Sequence, residues 1–306
     1  MLQTLPFKSV ELASRAVSPF LEMGAYEALW AEQGASFKSI AKRFASNKCA
    51  TPSDFVPRSA ALDFANFAHG MLKHAGVSRY GVRVSGTLDY PDRLAVADHP
   101  LQVFLYQGLW DLVDWGPSVA VVGTRKPSAD GAARARKLVR SLLEDDVTIV
   151  SGLAEGIDTE AHRTALAEGG RTIAVLGTPL TMAYPKSNFA LQREIAEKHL
   201  VISQVPTIRY RMPSDPTENN FFFPERNITM SALTDATVIV EAGATSGTLV
   251  QARHALKQGR LLFILDSNFA RNDLDWPKKL EERGAIRVRD YDDIRRCLFA
   301  KKPTSH

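Results

Sequence analysis

The sequence predicts a doubly wound, mostly parallel α/β sheet with an N-terminal helical domain, on three observations. From Pro117 onward, short apolar runs rich in β-branched residues recur at Val119–Val122, Val147–Val150, Thr172–Leu176, Val201–Val205, Thr237–Val240 and Leu261–Leu265. Helix-length segments separate these runs, and Gly, Pro or Ser bounds most of them. Before about residue 87 there is no long β-branched run, and Ala and aromatic residues recur there at helical spacings. Continuous apolar strands alternating with helices are buried on both faces, the signature of a parallel sheet with right-handed crossovers.

In chain order the first elements are helices. Phe20 and Leu21 with Leu29 and Trp30 mark one, and Phe37, Ile40, Ala41 and Phe44 form the stripe of a second. Residues 60–74 (AALDFANFAHGMLKH) read as a third amphipathic helix. Turn chemistry at Thr51-Pro52-Ser53-Asp54 and Val56-Pro57 separates the pieces. The stretch SFKSIAKRF has two readings, the first half of a helix-turn-helix or plain core packing. After the first strand, Ala135, Leu138, Val139 and Leu142 fall at i, i+3, i+4 and i+7, a clear helix face. Its other side carries Arg134, Lys137 and Arg140, read as a solvated face. Residues 290–299 read as a short helix with Ile294, Cys297 and Leu298 inward. The expected organisation is a helical domain over 1–87, an extended Rossmann-like core over 88–270, and a helical extension over 271–306 with no winged helix.

Composition narrows the function. Of 306 residues, 45% are hydrophobic and 24% charged, which is globular rather than disordered. Lys plus Arg exceed Asp plus Glu by 38 to 34, an excess that permits an anionic partner without demanding one. Two cysteines, Cys49 and Cys297, are too few for a disulfide framework or a cysteine zinc site. No apolar run reaches the roughly 18 residues of a membrane helix. The opening MLQTLPFKSVELASR lacks the basic and apolar regions of a signal peptide, so a reducing cytoplasm is expected.

In an open α/β sheet the ligand lies beyond the carboxyl ends of the strands. Four such loops here bring Gly with Ser or Thr to a helix start: Gly123-Thr124-Arg125-Lys126-Pro127-Ser128, Ser151-Gly152-Leu153-Ala154-Glu155-Gly156, Gly177-Thr178, and Glu241 to Thr248 with Ser246-Gly247-Thr248. Glycine lets the backbone approach closely, and free N–H and hydroxyl groups at a helix start bind anionic oxygens. Any single loop alone is better read as ordinary N-capping and tight turning; four on one rim favour a phosphate-binding surface. Neither G-x-G-x-x-G nor G-x-x-x-x-G-K-[ST] is present, so the NAD and P-loop readings fail. No metal-ligand spacing occurs among the seven histidines; His162 reads as structural, and Asp158 as a brace for its loop. No cofactor or metal is expected. The run Asn219-Asn220-Phe221-Phe222-Phe223-Pro224-Glu225-Arg226-Asn227 points away from a mononucleotide, because bases stack on aromatic rings and Arg pairs with phosphate. A core role for Phe221 and Phe222 stays open beside that reading.

Taken together these motifs resemble the DprA/Smf family of single-stranded-DNA-binding proteins that load RecA. The resemblance runs from about Tyr90 to Leu265. It includes Tyr90-Pro91, Leu105-Tyr106-Gln107-Gly108, Gly123-Thr124-Arg125 with Ser128, Ser151-Gly152 through Asp158, and Tyr184-Pro185 with Asn188. Phe223-Pro224-x-Arg226-Asn227, Ser246-Gly247-Thr248 and Gly259-Arg260 complete it. It implies a basic pocket for single-stranded DNA, self-association as a homodimer, and a RecA-type recombinase as partner. Arg125 would then pair with a DNA phosphate. Gly123, Ser128, Ser246, Gly247 and Thr248 would supply N–H and hydroxyl donors, and Phe223, Arg226 and Asn227 would line the pocket. Thr124, Ser151, Gly152, Gly156 and Gly177 complete the candidate phosphate-binding set.

Three departures mark a divergent member. Ile228 follows Arg226-Asn227 where the family usually has Arg, and Asp130 stands where an aromatic usually precedes the glycine. The stretch after Leu265 lacks the usual Pro-Gly pattern. The expected function is therefore single-stranded DNA binding without strong sequence preference, in DNA processing, uptake or recombination, and without enzymatic turnover. The alternative is a nucleotide sensor or phosphoribohydrolase-like enzyme of the related Rossmann group. That chemistry needs a carboxylate, which only Asp158, Glu155 or Glu241 could supply.

Overall fold

The computed structural model describes residues 16–47, 50–213 and 216–300; the opening segment and Cys49, both read above, lie outside them. The chain forms two compact units. One holds residues up to Gly108 with Leu176–Ala183 and Ile202–Glu225; the other holds Leu109–Val175, Tyr184–Val201 and the residues from Arg226 on.

In the first unit, helices α1 (Pro19–Ala31), α2 (Phe37–Ala45) and α3 (Arg58–His74) precede an antiparallel pair, β1 (Gly81–Val84) and β2 (Val103–Gly108). Ser18 caps α1, whose first residue is a proline, and a Ser36–Ser39 capping box starts α2. Phe37, Ile40 and Phe44 are buried, so the SFKSIAKRF stretch uses its apolar face for core packing. Helices α1 and α3 cross at Gly24: a Cβ there would lie 1.9 Å from the Ala61 carbonyl oxygen, so no larger residue fits. Trp30, Phe37, Phe221 and Phe222 make an aromatic core, with the last two rings stacked at 4.2 Å. This decides the open question for Phe222, which is fully buried, and for its neighbour Phe221, which is half-buried. Strand β1 carries no signal as a continuous apolar run, because it buries only alternate residues.

Among the described residues of this unit two carboxylates are buried, Glu22 and Glu27. Glu22 accepts hydrogen bonds from Thr51 Oγ1, Ser53 N and Ser53 Oγ. Glu27 accepts from Thr207 N at 2.6 Å and Ile208 N at 2.9 Å. Burial pushes the Glu27 carboxyl up to about 7 from 4.5, against the pull of those backbone donors. The folded protein thus holds a proton that the unfolded chain releases first. This contribution to stability is complete below pH 4.5 and disappears as pH rises through about 7. It amounts to about 3 kcal/mol at most. Urea unfolding across this window is expected to show that decline, and Glu27→Gln to flatten it. An unchanged slope in the variant would place the titration elsewhere.

The second unit is built from β3 (Ser118–Val122), α4 (Ala129–Glu144), β4 (Thr148–Ser151), α5 (Ile157–Ala167), β5 (Thr172–Leu176) and α6 (Phe189–Lys198). It continues through α7 (Phe222–Leu233), which starts in the first unit, to β7 (Ala236–Ile239), α8 (Thr248–Lys257) and β8 (Leu261–Leu265). It ends in α9 (Trp276–Glu281), β9 (Ile286–Val288) and α10 (Tyr291–Leu298). Strand β6 (Leu200–Ser203) straddles the division, as does β5 by its last residue, Leu176. The strand order is β5-β4-β3-β7-β8-β9, with every neighbouring pair parallel. The Rossmann-like, mostly parallel architecture is therefore as the apolar runs predict. The sheet grows one way from β3 to β5 and the other way from β7 to β9, so a topological switch lies between β3 and β7.

The core is where the periodicity places it: Ala135, Leu138, Val139 and Leu142 of α4 are buried against β3, β4 and α5 residues. Ile294 is fully buried on α10, with Cys297 and Leu298 packed beside it. Two readings need correction. The last strand is not Leu261–Leu265, because β9 pairs beyond it; a three-residue edge strand containing Arg287 is too short to read from sequence. On the basic face of α4, Lys137 and Arg140 are exposed as expected, Arg140 in a surface pair with Glu168 at 2.7 Å, whereas half-buried Arg134 pairs with Glu241. Among the described residues no helix is long and apolar enough to cross a membrane.

Candidate nucleic-acid interface

The site is built at the switch, within the second unit. The loop from β3 to α4 is held by Glu241, the residue two positions after β7. Its backbone carbonyl accepts from Thr124 N at 2.7 Å, and its carboxylate accepts from Ser128 N, Ser128 Oγ and Arg134. Ser128 Oγ in turn caps α4 by accepting from Gly131 N at 2.9 Å. The hydroxyl of Ser128 is thus engaged in anchoring the loop. Between these anchors Arg125 is exposed, with neither a hydrogen bond nor an ion pair to any described residue, and exposed Lys126 follows it.

The loop from β4 to α5 is pinned by its own helix. Asp158 Oδ2 accepts from Gly152 N at 3.1 Å and Ala154 N at 3.4 Å, the bracing role its position suggests. Burial raises the Asp158 carboxyl above its ordinary value, opposed by the Arg226 charge and these backbone donors. Gly156 has φ +77°, and a Cβ on it would sit 2.4 Å from the Thr124 oxygen and 2.7 Å from the Arg125 carbonyl carbon. Only glycine lets this loop seat on the backbone of Arg125. His162 lies beneath the loop. Its Nδ1 meets Thr172 Oγ1 at 2.7 Å, and Thr172 Oγ1 donates to Ile149 O, so Nδ1 carries the hydrogen. Burial pushes the imidazole down to about 3, which keeps it neutral and structural. Asn188, just before α6, donates to Leu153 O at 3.0 Å and Thr159 Oγ1 at 2.8 Å, tying a further loop to this one.

Arg226 joins the loops. Its guanidinium is buried; Nη1 donates to Gly152 O and, at 2.7 Å, to Val175 O, while Nε donates to Asn227 Oδ1. A Cβ on Gly152 would fall 2.3 Å from Nη1. Asn227 Nδ2 reaches Gly247 O at 3.3 Å, and Thr248 Oγ1 closes the circuit by donating to Gly123 O at 3.3 Å. Burial lowers the Arg226 guanidinium, as does neighbouring Arg125, while Asp158 favours its charge. An arginine nevertheless stays protonated in a protein, so two cations share this rim.

Most of the residues singled out from sequence meet here. Gly123, Thr124, Arg125, Ser128, Ser151, Gly152, Gly156, Arg226, Asn227, Ser246, Gly247 and Thr248 all belong to this unit. Ser151, Gly152, Arg226 and Thr248 are buried; Ser151 Oγ is occupied by Val121 O, and they form the frame rather than the surface. Gly177 and Phe223 belong to the first unit, where a Cβ on the glycine would lie 2.4 Å from the ring. The bracing by Glu241 and the tether through Asn188 went unread. Each joins segments far apart in the chain, 113 residues in the case of Glu241 and Ser128, and no local pattern announces such a pair.

The family model described as DNA recombination-mediator protein A matches residues 82–299. The chain belongs to that family. A DprA-type protein from Streptococcus pneumoniae, DNA processing protein DprA, is 36% identical over 249 residues, covering 80% of this chain and 82% of that one. The solved structure of the S. pneumoniae protein superposes on this family member with a TM-score of 0.70 at 28% identity, covering 92% of this chain and 98% of the other. A structure of DNA processing protein A from Helicobacter pylori, described for its single-stranded DNA binding mode, gives a TM-score of 0.60 at 28% identity. It covers 72% of this chain and 95% of that one. The DprA/Smf resemblance carried by the motifs is thereby established for this recombination-mediator family member.

Proposed function

We propose that this protein binds single-stranded DNA at the β3/β7 switch, through backbone phosphates and without strong sequence preference, as part of DNA processing, uptake or recombination. The observation that carries the reading is Arg125, an exposed cation with no described partner on a loop fixed at both ends by Glu241 and from below by Gly156. A flexible lysine in open water would pay more entropy to meet a phosphate than a guanidinium presented on a rigid loop. The helix start at Thr248 adds a positive end to the same rim. Arg226 and Asn227 tie the β4–α5 loop, the end of β5 and the loop before α8 together. The single-stranded DNA binding mode described for the H. pylori relative supports the same ligand.

The enzyme alternative is the weaker reading, because Asp158 and Glu241 are engaged in holding loops rather than poised over an open site. A RecA-type recombinase as recipient of the strand, a homodimer and a cytoplasmic setting are proposed from the family relationship alone. Arg125→Ala tests the site. Removing one phosphate contact is expected to weaken single-strand affinity and to lower the slope of log affinity against log salt by about 0.7. A folded variant with wild-type affinity and slope would remove Arg125 from the interface.

A further inference from the structure

Tyr184 and Phe189 have no role in the site described so far, yet 50% and 55% of their surfaces are exposed. Single exposed apolar residues are ordinary, but two exposed aromatic residues five positions apart in one connection, with cations beside them in sequence, suit a ligand with flat faces and negative charge. Exposed Lys186 lies between them in sequence. Arg193, one turn along α6, holds its guanidinium 6.0 Å from the centre of the Phe189 ring while also meeting Glu197 at 3.5 Å. The segment is anchored next to the candidate interface. Asn188 binds Leu153 O and Thr159 Oγ1 of the β4–α5 region, and Gly156 of that same loop rests on the backbone of Arg125.

Resting on the single-stranded DNA reading above, we infer that Tyr184 and Phe189 form a stacking platform for bases, continuing the strand's path beyond Arg125. Aromatic faces accept any base, which suits recognition without sequence preference, and the neighbouring cations favour a strand whose phosphates pass close by. The division of labour is then physical: Arg125 supplies the salt-dependent part of affinity, and the rings supply a part that salt leaves nearly unchanged.

The test is fluorescence anisotropy with a labelled single strand long enough to cross both loops, beside a strand of equal length and charge made of abasic nucleotides. Phe189→Ala and Tyr184→Ala are each expected to lose about five-fold to a hundred-fold in affinity for the intact strand, with an unchanged salt slope. Neither is expected to change binding to the abasic strand. Phe189→Leu keeps the apolar bulk and guards against a folding defect; it is expected to lose affinity like Phe189→Ala. Equal losses on intact and abasic strands, or no loss on either, would overturn the platform. Wild-type protein that binds an intact strand in an Arg125-dependent way, with ring variants that match it, would sink the platform and leave the interface standing. Folded wild-type protein that binds no single strand would sink both.

Discussion

Arg226→Ala is expected to cost about 3–5 kcal/mol of folding stability and to abolish strand binding with it. The size follows from what the guanidinium does. It is buried, and its loss leaves the carbonyls of Gly152 and Val175 without their donor and the buried Asp158 without the nearby charge that favours its ionised form. Each unsatisfied buried group adds roughly 1–3 kcal/mol. The loss also unties Asn227, and with it the link to Gly247. Arg226→Lys keeps a charge but cannot reproduce the fork of donors, so it is expected to fall between the two. Urea unfolding gives the stability and anisotropy the binding. If Arg226→Ala unfolds like wild type and loses only affinity, Arg226 contacts the strand directly instead of framing the loops.

The second large effect is expected at Gly156. Alanine there meets the left-handed backbone at φ +77° and places a Cβ 2.4 Å from a backbone oxygen of Thr124, which no side-chain motion relieves. The backbone there, at φ +77° and ψ −124°, lies in a region essentially reserved for glycine, and forcing a side chain into it costs of order 1–3 kcal/mol. The contact adds to it or moves the Arg125 loop. Gly156→Ala is therefore expected to lower stability by about 2–3 kcal/mol and to weaken single-strand binding although no charge is removed. Gly243 supplies the control. It lies in the loop before α8, has nothing within 4 Å of a built Cβ and no positive φ, so Gly243→Ala should leave stability near wild type. Equal behaviour of the two alanine variants would contradict the seating of the β4–α5 loop on Arg125.

The parts of this molecule that sequence made legible are those that local periodicity encodes. Ala135, Leu138, Val139 and Leu142 face the core because a 3.6-residue repeat allows nothing else, and the buried parallel strands announce themselves as unbroken apolar runs. What stayed hidden depends on partners distant in the chain. Three consecutive phenylalanines look alike in sequence; Phe221 and Phe222 pack on Trp30, almost two hundred residues earlier, whereas Phe223 faces Gly177. Arg226 and Arg125 are both motif arginines, but burial makes the first a strut and leaves the second in solvent. Strands β1 and β9 are short and mixed in polarity, so their pairing is a tertiary fact rather than a local one.

The central claim is that the rim at the β3/β7 switch holds single-stranded DNA by its phosphates. Its most direct test is anisotropy of a labelled single strand and its duplex, titrated with the wild-type protein across a series of salt concentrations. Preference for the single strand is expected, with an affinity that falls linearly on a log–log plot against salt. Absence of single-strand binding by the folded protein, or affinity indifferent to salt, would contradict it.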